Sequence, residues 1–320
     1  MERKMDGILK DMDQLTIEQP TSLKTISAKL DALSDSVRRL GQDMETTKSH
    51  QDGLRTIHFE RLNCRYERIS GAYINTFEWA FEDEAPGVHG LVKLRFRDWL
   101  EGGDGIFWVR GKAGSGKSTL MKLLVNDSRT LRSLKAWAGV EAKLVFAKYF
   151  FWNPGTSLQK SQEGLVRAFL FDILCQCPQE IPMAERLLSR RTESSQDNSI
   201  GTWETAWDIL KDVLAAIATS STSKICLFID GLDEYEGESD NLIEMVRVLS
   251  SFQGVKVCVS SRPWAEFVLA FGTRHDRLLK VEDLTARDIH SYARGNLFAN
   301  SRFAKLASRD DTIPQLVDVH

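Results

Sequence analysis

Nine consecutive residues constrain this chain more than any others: Gly111-Lys112-Ala113-Gly114-Ser115-Gly116-Lys117-Ser118-Thr119. They follow the apolar run Ile106-Phe107-Trp108-Val109 and precede Leu120, Met121, Leu123 and Leu124, which recur at helical spacing. The order is strand, glycine-rich loop, helix, and the loop fits G-x-x-x-x-G-K-[ST]. The glycines let the backbone turn tightly, so that successive N–H groups point inward at an anion and the following helix presents its positive end. All nine residues are therefore candidates to bind the phosphates of a nucleotide. Lys117 would reach the β- and γ-phosphates, and Ser118 would ligate Mg2+.

A second element is the apolar run Ile225-Cys226-Leu227-Phe228-Ile229, which ends in Asp230 and continues Gly231-Leu232-Asp233-Glu234. An acidic cluster after a strand can be a solvated turn. Given the loop upstream, it reads instead as the metal site, with Asp230 at the end of a strand expected beside the loop strand. One of Asp233 and Glu234 is then free to orient or deprotonate a water. A third element, Val255-Lys256-Val257-Cys258-Val259-Ser260-Ser261-Arg262-Pro263, is an apolar strand stopped by Pro263. Arg262 would stand at the carboxyl edge of the same sheet, either to touch a γ-phosphate or as a surface arginine before a turn.

Strand-like runs at 106–110, 142–152, 224–230, 255–260 and 278–281 alternate with helical stretches from Ser118, from about Ser161 and near Asn241. Buried strands separated by helices predict an α/β fold, a parallel sheet with helices on both faces. The stretches 190–202 and 218–223 read as exposed loops. Residues 1–70 differ. Leu23, Ile26, Leu30, Leu33, Val37, Leu40 and Met44 are spaced 3, 4, 3, 4, 3 and 4 apart, which predicts a heptad helix within 21–49. Such a seam fits a coiled coil for self-association or a helical partner, or a hairpin packed on its own chain. Forty-two basic against 45 acidic residues, a net charge of -3, give no global case for nucleic acid or an anionic membrane. The start MERKMDGILKDMDQL lacks the apolar core of a secretory signal, and no run approaches the roughly 20 apolar residues of a membrane span. The five cysteines are odd in number, and Cys226 and Cys258 sit in apolar runs. Together these features predict a reducing, cytoplasmic home and no membrane or nucleic-acid partner.

Taken together, Gly111 to Thr119, the LFIDGLDE stretch 227–234 and SSRPW at 260–264 resemble the NACHT class of STAND (signal-transducing) P-loop NTPases, most closely the fungal NOD-like receptors of vegetative-incompatibility type. RYERISGAYINTFEW (65–79), FFWNPGTSLQKSQEGLVRAFLFDIL (150–174) and VEDLTARDIHSY (281–292) look like further parts of that group. The resemblance implies a domain at 71–283 that binds ATP or ADP with Mg2+, whose exchange or slow hydrolysis controls self-association. It gives phosphate to Gly111 through Thr119, metal to Ser118 and Asp230, water to Asp233 or Glu234, and γ-phosphate sensing to Arg262. Adenine is expected around Thr76 to Trp79. Residues 284–320 would begin a helical subdomain. Members usually continue through that subdomain, a winged helix and a sensor region, so a truncated form is expected.

Two other function classes fit the same residues: a catalytically idle interaction module built on the heptad helix, and a small-molecule kinase. The spacing Asp-Gly-Leu-Asp-Glu points away from the kinase. If the heptad seam mediates assembly, replacing Leu30 and Leu33 by polar residues abolishes self-association in sedimentation velocity, while Lys117→Ala does not. Assembly that survives the double substitution removes that role.

Overall fold

The apolar runs of the sequence become the strands of one parallel sheet. The computed structural model describes residues 64–192, 203–220, 223–300 and 302–303. The heptad stretch within 21–49 and the end of the expected helical subdomain, 304–320, lie outside the described residues. A short antiparallel hairpin, β1 (Glu84–Gly87) and β2 (Gly90–Lys93), stands apart from the main sheet. The sheet comprises β3 (Gly105–Arg110), β4 (Lys143–Phe150), β5 (Ser223–Asp230), β6 (Val255–Ser261) and β7 (Leu278–Lys280). Its order is β4-β5-β6-β3-β7, and every neighbouring pair is parallel.

One expectation is corrected by that order. Asp230 does not end a strand beside the loop strand, because β6 lies between them, paired with β3 on one side and β5 on the other. The strand that carries the third motif therefore stands between the strands that carry the first and second.

The helices are α1 (Cys64–Arg68), α2 (Phe96–Gly102), α3 (Lys117–Asn126), α4 (Ser128–Ala138), α5 (Gln162–Gln176), α6 (Ile181–Thr192), α7 (Trp203–Ser220), α8 (Ser239–Ser251), α9 (Ala265–Phe271) and α10 (Ala286–Ala299). The chain leaves β3 for the edge at β4, then returns across β5 and β6 to β7. Right-handed crossovers in opposite directions put α3 and α4 on one face and the returning helices on the other. Arg190 to Thr192 and Ala218 to Ser220, expected in loops, instead complete α6 and α7.

Side-chain alternation then decides what faces what. Phe107 and Val109 of β3, Cys226 and Phe228 of β5 and Cys258 of β6 pack with Leu120, Met121 and Leu124 of α3 in one buried cluster. The aromatic residues that lead into β3 belong to it, with Phe96 and Phe107 ring centroids 5.1 Å apart. Continuing the period, Asp230 and Ser260 fall on that same face, towards the start of α3. Lys256 also belongs there, fully buried. Its Nζ donates to the Trp99 and Leu100 carbonyls at 2.5 and 2.7 Å and lies 4.2 Å from the Trp137 ring centroid, so it caps the end of α2. Burial pushes its ammonium down to about 8.

On the opposite side of β4, the Asp172 carboxylate of α5 accepts the Lys148 N–H at 3.2 Å. Burial pushes this carboxyl up from 3.8 to about 6. A raised folded-state value means that ionisation costs more in the folded than in the unfolded chain. The penalty is absent below about pH 4 and complete above about pH 6. Asp172→Asn keeps the acceptor, so it should stabilise the protein by about 1–2 kcal/mol at pH 7.5 and by almost nothing at pH 4. Denaturant melts at the two pH values check this, and an equal gain at both contradicts it.

Candidate functional site

The carboxyl ends of β3, β5 and β6 converge with the glycine-rich loop on a cavity of about 360 Å³. It is lined by Ala113 to Thr119, Asp230, Gly231, Asp233, Glu234, Ser260, Arg262 and Arg65. Of the expected site residues only Gly111 and Lys112 stand outside its lining, and these serve the loop from beneath. The Gly111 N–H donates to the Ser261 carbonyl at 3.2 Å, which prolongs the β3–β6 pairing into the loop. Gly116, with φ of 88°, starts α3 in the left-handed region open to glycine. A Cβ there would also lie 3.0 Å from the Phe77 ring. Lys117 Nζ donates to the carbonyls of Gly111 and Lys112 at 2.7 and 2.8 Å. Burial lowers the Lys117 ammonium from its ordinary value, opposed first by Asp233 and then by Asp230.

Asp230 is 1% exposed. Its Oδ1 accepts the Ser260 hydroxyl at 2.5 Å, and the same Ser260 Oγ accepts the Gly231 N–H at 3.0 Å. Ser260 thus fixes both the carboxylate and the turn that follows it, where Gly231 has φ of 76°. Asp230 Oδ2 is buried without a hydrogen-bond partner. Burial pushes this carboxyl up to about 6, opposed by the hydroxyls of Ser260 and Ser118. A buried carboxylate oxygen left unpartnered is costly, and beside Ser118 it forms a hard oxygen donor pair. That pair fits Mg2+, which takes one or two protein oxygens and fills its other positions with water and phosphate. Among the described residues no cluster of three or more His, Cys, Asp or Glu could hold a metal on its own.

The two carboxylates after Asp230 differ. Asp233 is almost buried and both its oxygens are committed to Arg262: Oδ1 accepts the backbone N–H at 2.9 Å, and Oδ2 forms an ion pair with the guanidinium, 2.9 Å from Nε. Glu234 remains at the cavity wall, where Oε2 accepts the Asn153 N–H at 3.0 Å and Oε1 lies 3.9 Å from Arg65 Nη2.

A second cavity of about 540 Å³ adjoins the first across Gly114 to Gly116, Ser118 and Thr119. Its other walls are residues 65–77 and Asp288, Ile289 and Tyr292 of α10. A volume of this order accommodates a small organic ligand. Thr76 and Phe77 line it, as expected for the segment before the loop strand, but Trp79 does not. The Trp79 indole instead donates to Asp288 Oδ2 at 2.8 Å, and that oxygen also accepts the Phe77 N–H at 3.1 Å. Asn75 and Phe77 have φ of 61° and 63°, conformations unfavourable to side chains like that of Phe77, so the wall is held under strain.

Sequence reasoning passed over Arg65, Ser260 and Asp288 as site residues. Ser260 carried a signal, a hydroxyl ending a strand in the third motif. Arg65 and Asp288 fall in the stretches 65–79 and 281–292 that resemble the family, but no local pattern says that residues 223 positions apart will meet one cavity.

Asp230→Asn keeps the acceptor for Ser260 and removes a buried charge. Without added Mg2+ or nucleotide at pH 7.5, it should be more stable than the parent by about 1–2 kcal/mol. A melting temperature below the parent's would show that the carboxylate is structural instead.

A sequence search of curated proteins gave no match. A similar solved structure is the crystal structure of Cdc6p from Pyrobaculum aerophilum, 12% identical, with a TM-score of 0.33 over 62% of this chain and 45% of that one. The chain thus spans less than half the length of that relative. Among the described residues no helix is long and apolar enough to cross a membrane. The family model described as Nephrocystin 3, N-terminal, matches residues 76–262, from the wall of the larger cavity to Arg262. That span covers more than half of the 320 residues and holds the glycine-rich loop with four strands of the five-stranded parallel sheet and the helices between them, and the chain belongs to the Nephrocystin 3, N-terminal family.

Proposed function

We propose that the chain is a nucleotide-dependent signalling switch of the STAND/NACHT type, binding ATP or ADP with Mg2+ and hydrolysing ATP slowly. The observation that carries this reading is the unpartnered, fully enclosed Oδ2 of Asp230, set beside Ser118 and Lys117 in a cavity floored by the phosphate-type loop. A carboxylate kept in that condition suits a cation brought with the ligand. Bound Mg2+ would supply charge neutralisation on the phosphate oxygens.

The chain's own residues would do the rest. Gly111 to Thr119 offer backbone N–H groups, and Lys117 exchanges its loop carbonyls for phosphate oxygens. Ser118 and Asp230 hold the metal. Asp233 holds Arg262 by two bonds, so that its guanidinium is presented at the cavity and can read a γ-phosphate. That commitment leaves Glu234 to orient the attacking water. Thr76 and Phe77 would flank the base in the larger cavity. Slow turnover fits a timer, because the site is built for positioning.

The proposed organisation is a helical segment at 1–70 with its heptad helix within 21–49, a nucleotide domain at 71–283, and the start of a helical subdomain at 284–320. α10 belongs to the last of these and also walls the larger cavity, so a ligand there would bear on both parts. Nucleotide exchange would then control self-association through the heptad helix, in the manner of the fungal incompatibility receptors that the motifs resemble.

The test is to purify the chain and Lys117→Ala, denature both, and identify chromatographically the nucleotide each releases. ADP or ATP from the parent and none from a folded Lys117→Ala is expected. A parent that is empty and also ignores added Mg·ATP in a thermal-shift assay contradicts the reading.

A further inference from the structure

Three cations line the smaller cavity: Lys117, Arg262 and Arg65. Their commitments differ. Lys117 is engaged by two loop carbonyls, and Arg262 by both oxygens of Asp233. Arg65 has its Nε buried with no hydrogen-bond partner, and its Nη2 stands 3.9 Å from Glu234 Oε1, too far for a hydrogen bond. Arg65 is also the one cation of the three that lines both cavities, and its guanidinium stands on the Glu234 side of the smaller one. A buried guanidinium nitrogen without an acceptor costs free energy, which a ligand oxygen would recover.

The position is also built. Arg65 lies on α1, whose trailing carbonyls are gathered by Lys122 of α3. Lys122 Nζ donates to the carbonyls of Tyr66 and Ile69 at 2.8 and 2.6 Å. The Tyr66 hydroxyl donates to Asn126 Oδ1 at 2.5 Å, and its ring packs against Phe150 at 5.2 Å. The helix that follows the phosphate-type loop thus holds Arg65 at that loop's mouth, although Arg65 precedes the family match by some distance in sequence.

We propose that Arg65 is a phosphate-binding residue, whose guanidinium takes the terminal phosphate of a bound nucleoside triphosphate in place of its long pairing with Glu234. This rests on the nucleotide reading above. Two consequences follow from the geometry. Glu234 is released from its cationic neighbour when the terminal phosphate is present, and is then at liberty to orient water. The presence of that phosphate is also felt by α1, the described helix nearest the N-terminal segment.

The experiment measures the affinity of the full chain for Mg·ADP and for a Mg-bound, slowly hydrolysed ATP analogue, by titration calorimetry. Arg65→Gln is expected to weaken the analogue by about tenfold while changing ADP by less than about twofold. Arg65→Lys is expected to fall between Arg65→Gln and the parent. If Arg65→Gln proves unfolded in a melt, the comparison of Arg65→Lys with the parent carries the test, with a loss confined to the analogue expected. No loss, or an equal loss for both nucleotides, overturns the assignment while leaving the nucleotide reading in place. A parent that binds neither nucleotide overturns both.

Discussion

The buried carboxylate of Asp230 is the constraint on which the site depends. It ends a strand whose side chains alternate between two cores, and the face it takes is the one covered by α3. Ser260 of the intervening strand holds one of its oxygens and the turn after it. Remove β6 from between β3 and β5, and neither the hydroxyl nor Arg262 would stand between the loop and the acidic cluster. The sheet order is therefore part of the site, because the middle strand and the residue after it fix Asp230, the turn that follows and Asp233.

Charge in the site is arranged in pairs of unequal strength. Asp233 and Arg262 form a tight, two-bonded pair at the edge of the cavity, and Arg65 and Glu234 form a loose one. Tight pairing keeps a guanidinium aimed, whereas loose pairing leaves it easy to draw away. The same contrast appears beneath the loop, where carbonyls hold Lys117 without a carboxylate in direct contact. An incoming polyanion would meet Lys117 and Arg65 with present partners that are neutral or distant, which lowers the cost of exchanging them.

Much of this was legible in the sequence, for reasons that are local. Runs such as ICLFI and VCV are apolar on both faces because both faces of the sheet are covered, and the positions of β3 to β7 followed from such runs. The loop was legible because φ of 75° at Gly114 and 88° at Gly116 calls for glycine. The strand order was not, since hydrophobicity says that a strand is buried but not beside which other. Nor was the choice between Asp233 and Glu234, which depends on where Arg262 turns after β6. Lys256, a charged residue within the apolar run of β6, is explained by the carbonyls of α2, 156 and 157 positions away in the chain. Asp288 was invisible for the same reason, as its partners Phe77 and Trp79 are 211 and 209 positions distant.

The central claim is that one surface, formed by the loop, Asp230 to Glu234 and the strained wall at 75–77, receives a single Mg·nucleotide across two adjoining cavities. Amide hydrogen exchange of the full chain with and without Mg·ATP tests it most directly. The account predicts that peptides spanning 111–119, 73–77 and 286–292 gain protection together, because they line the same ligand. Protection confined to parts of the chain remote from these three, or no change at saturating Mg·ATP, would contradict it.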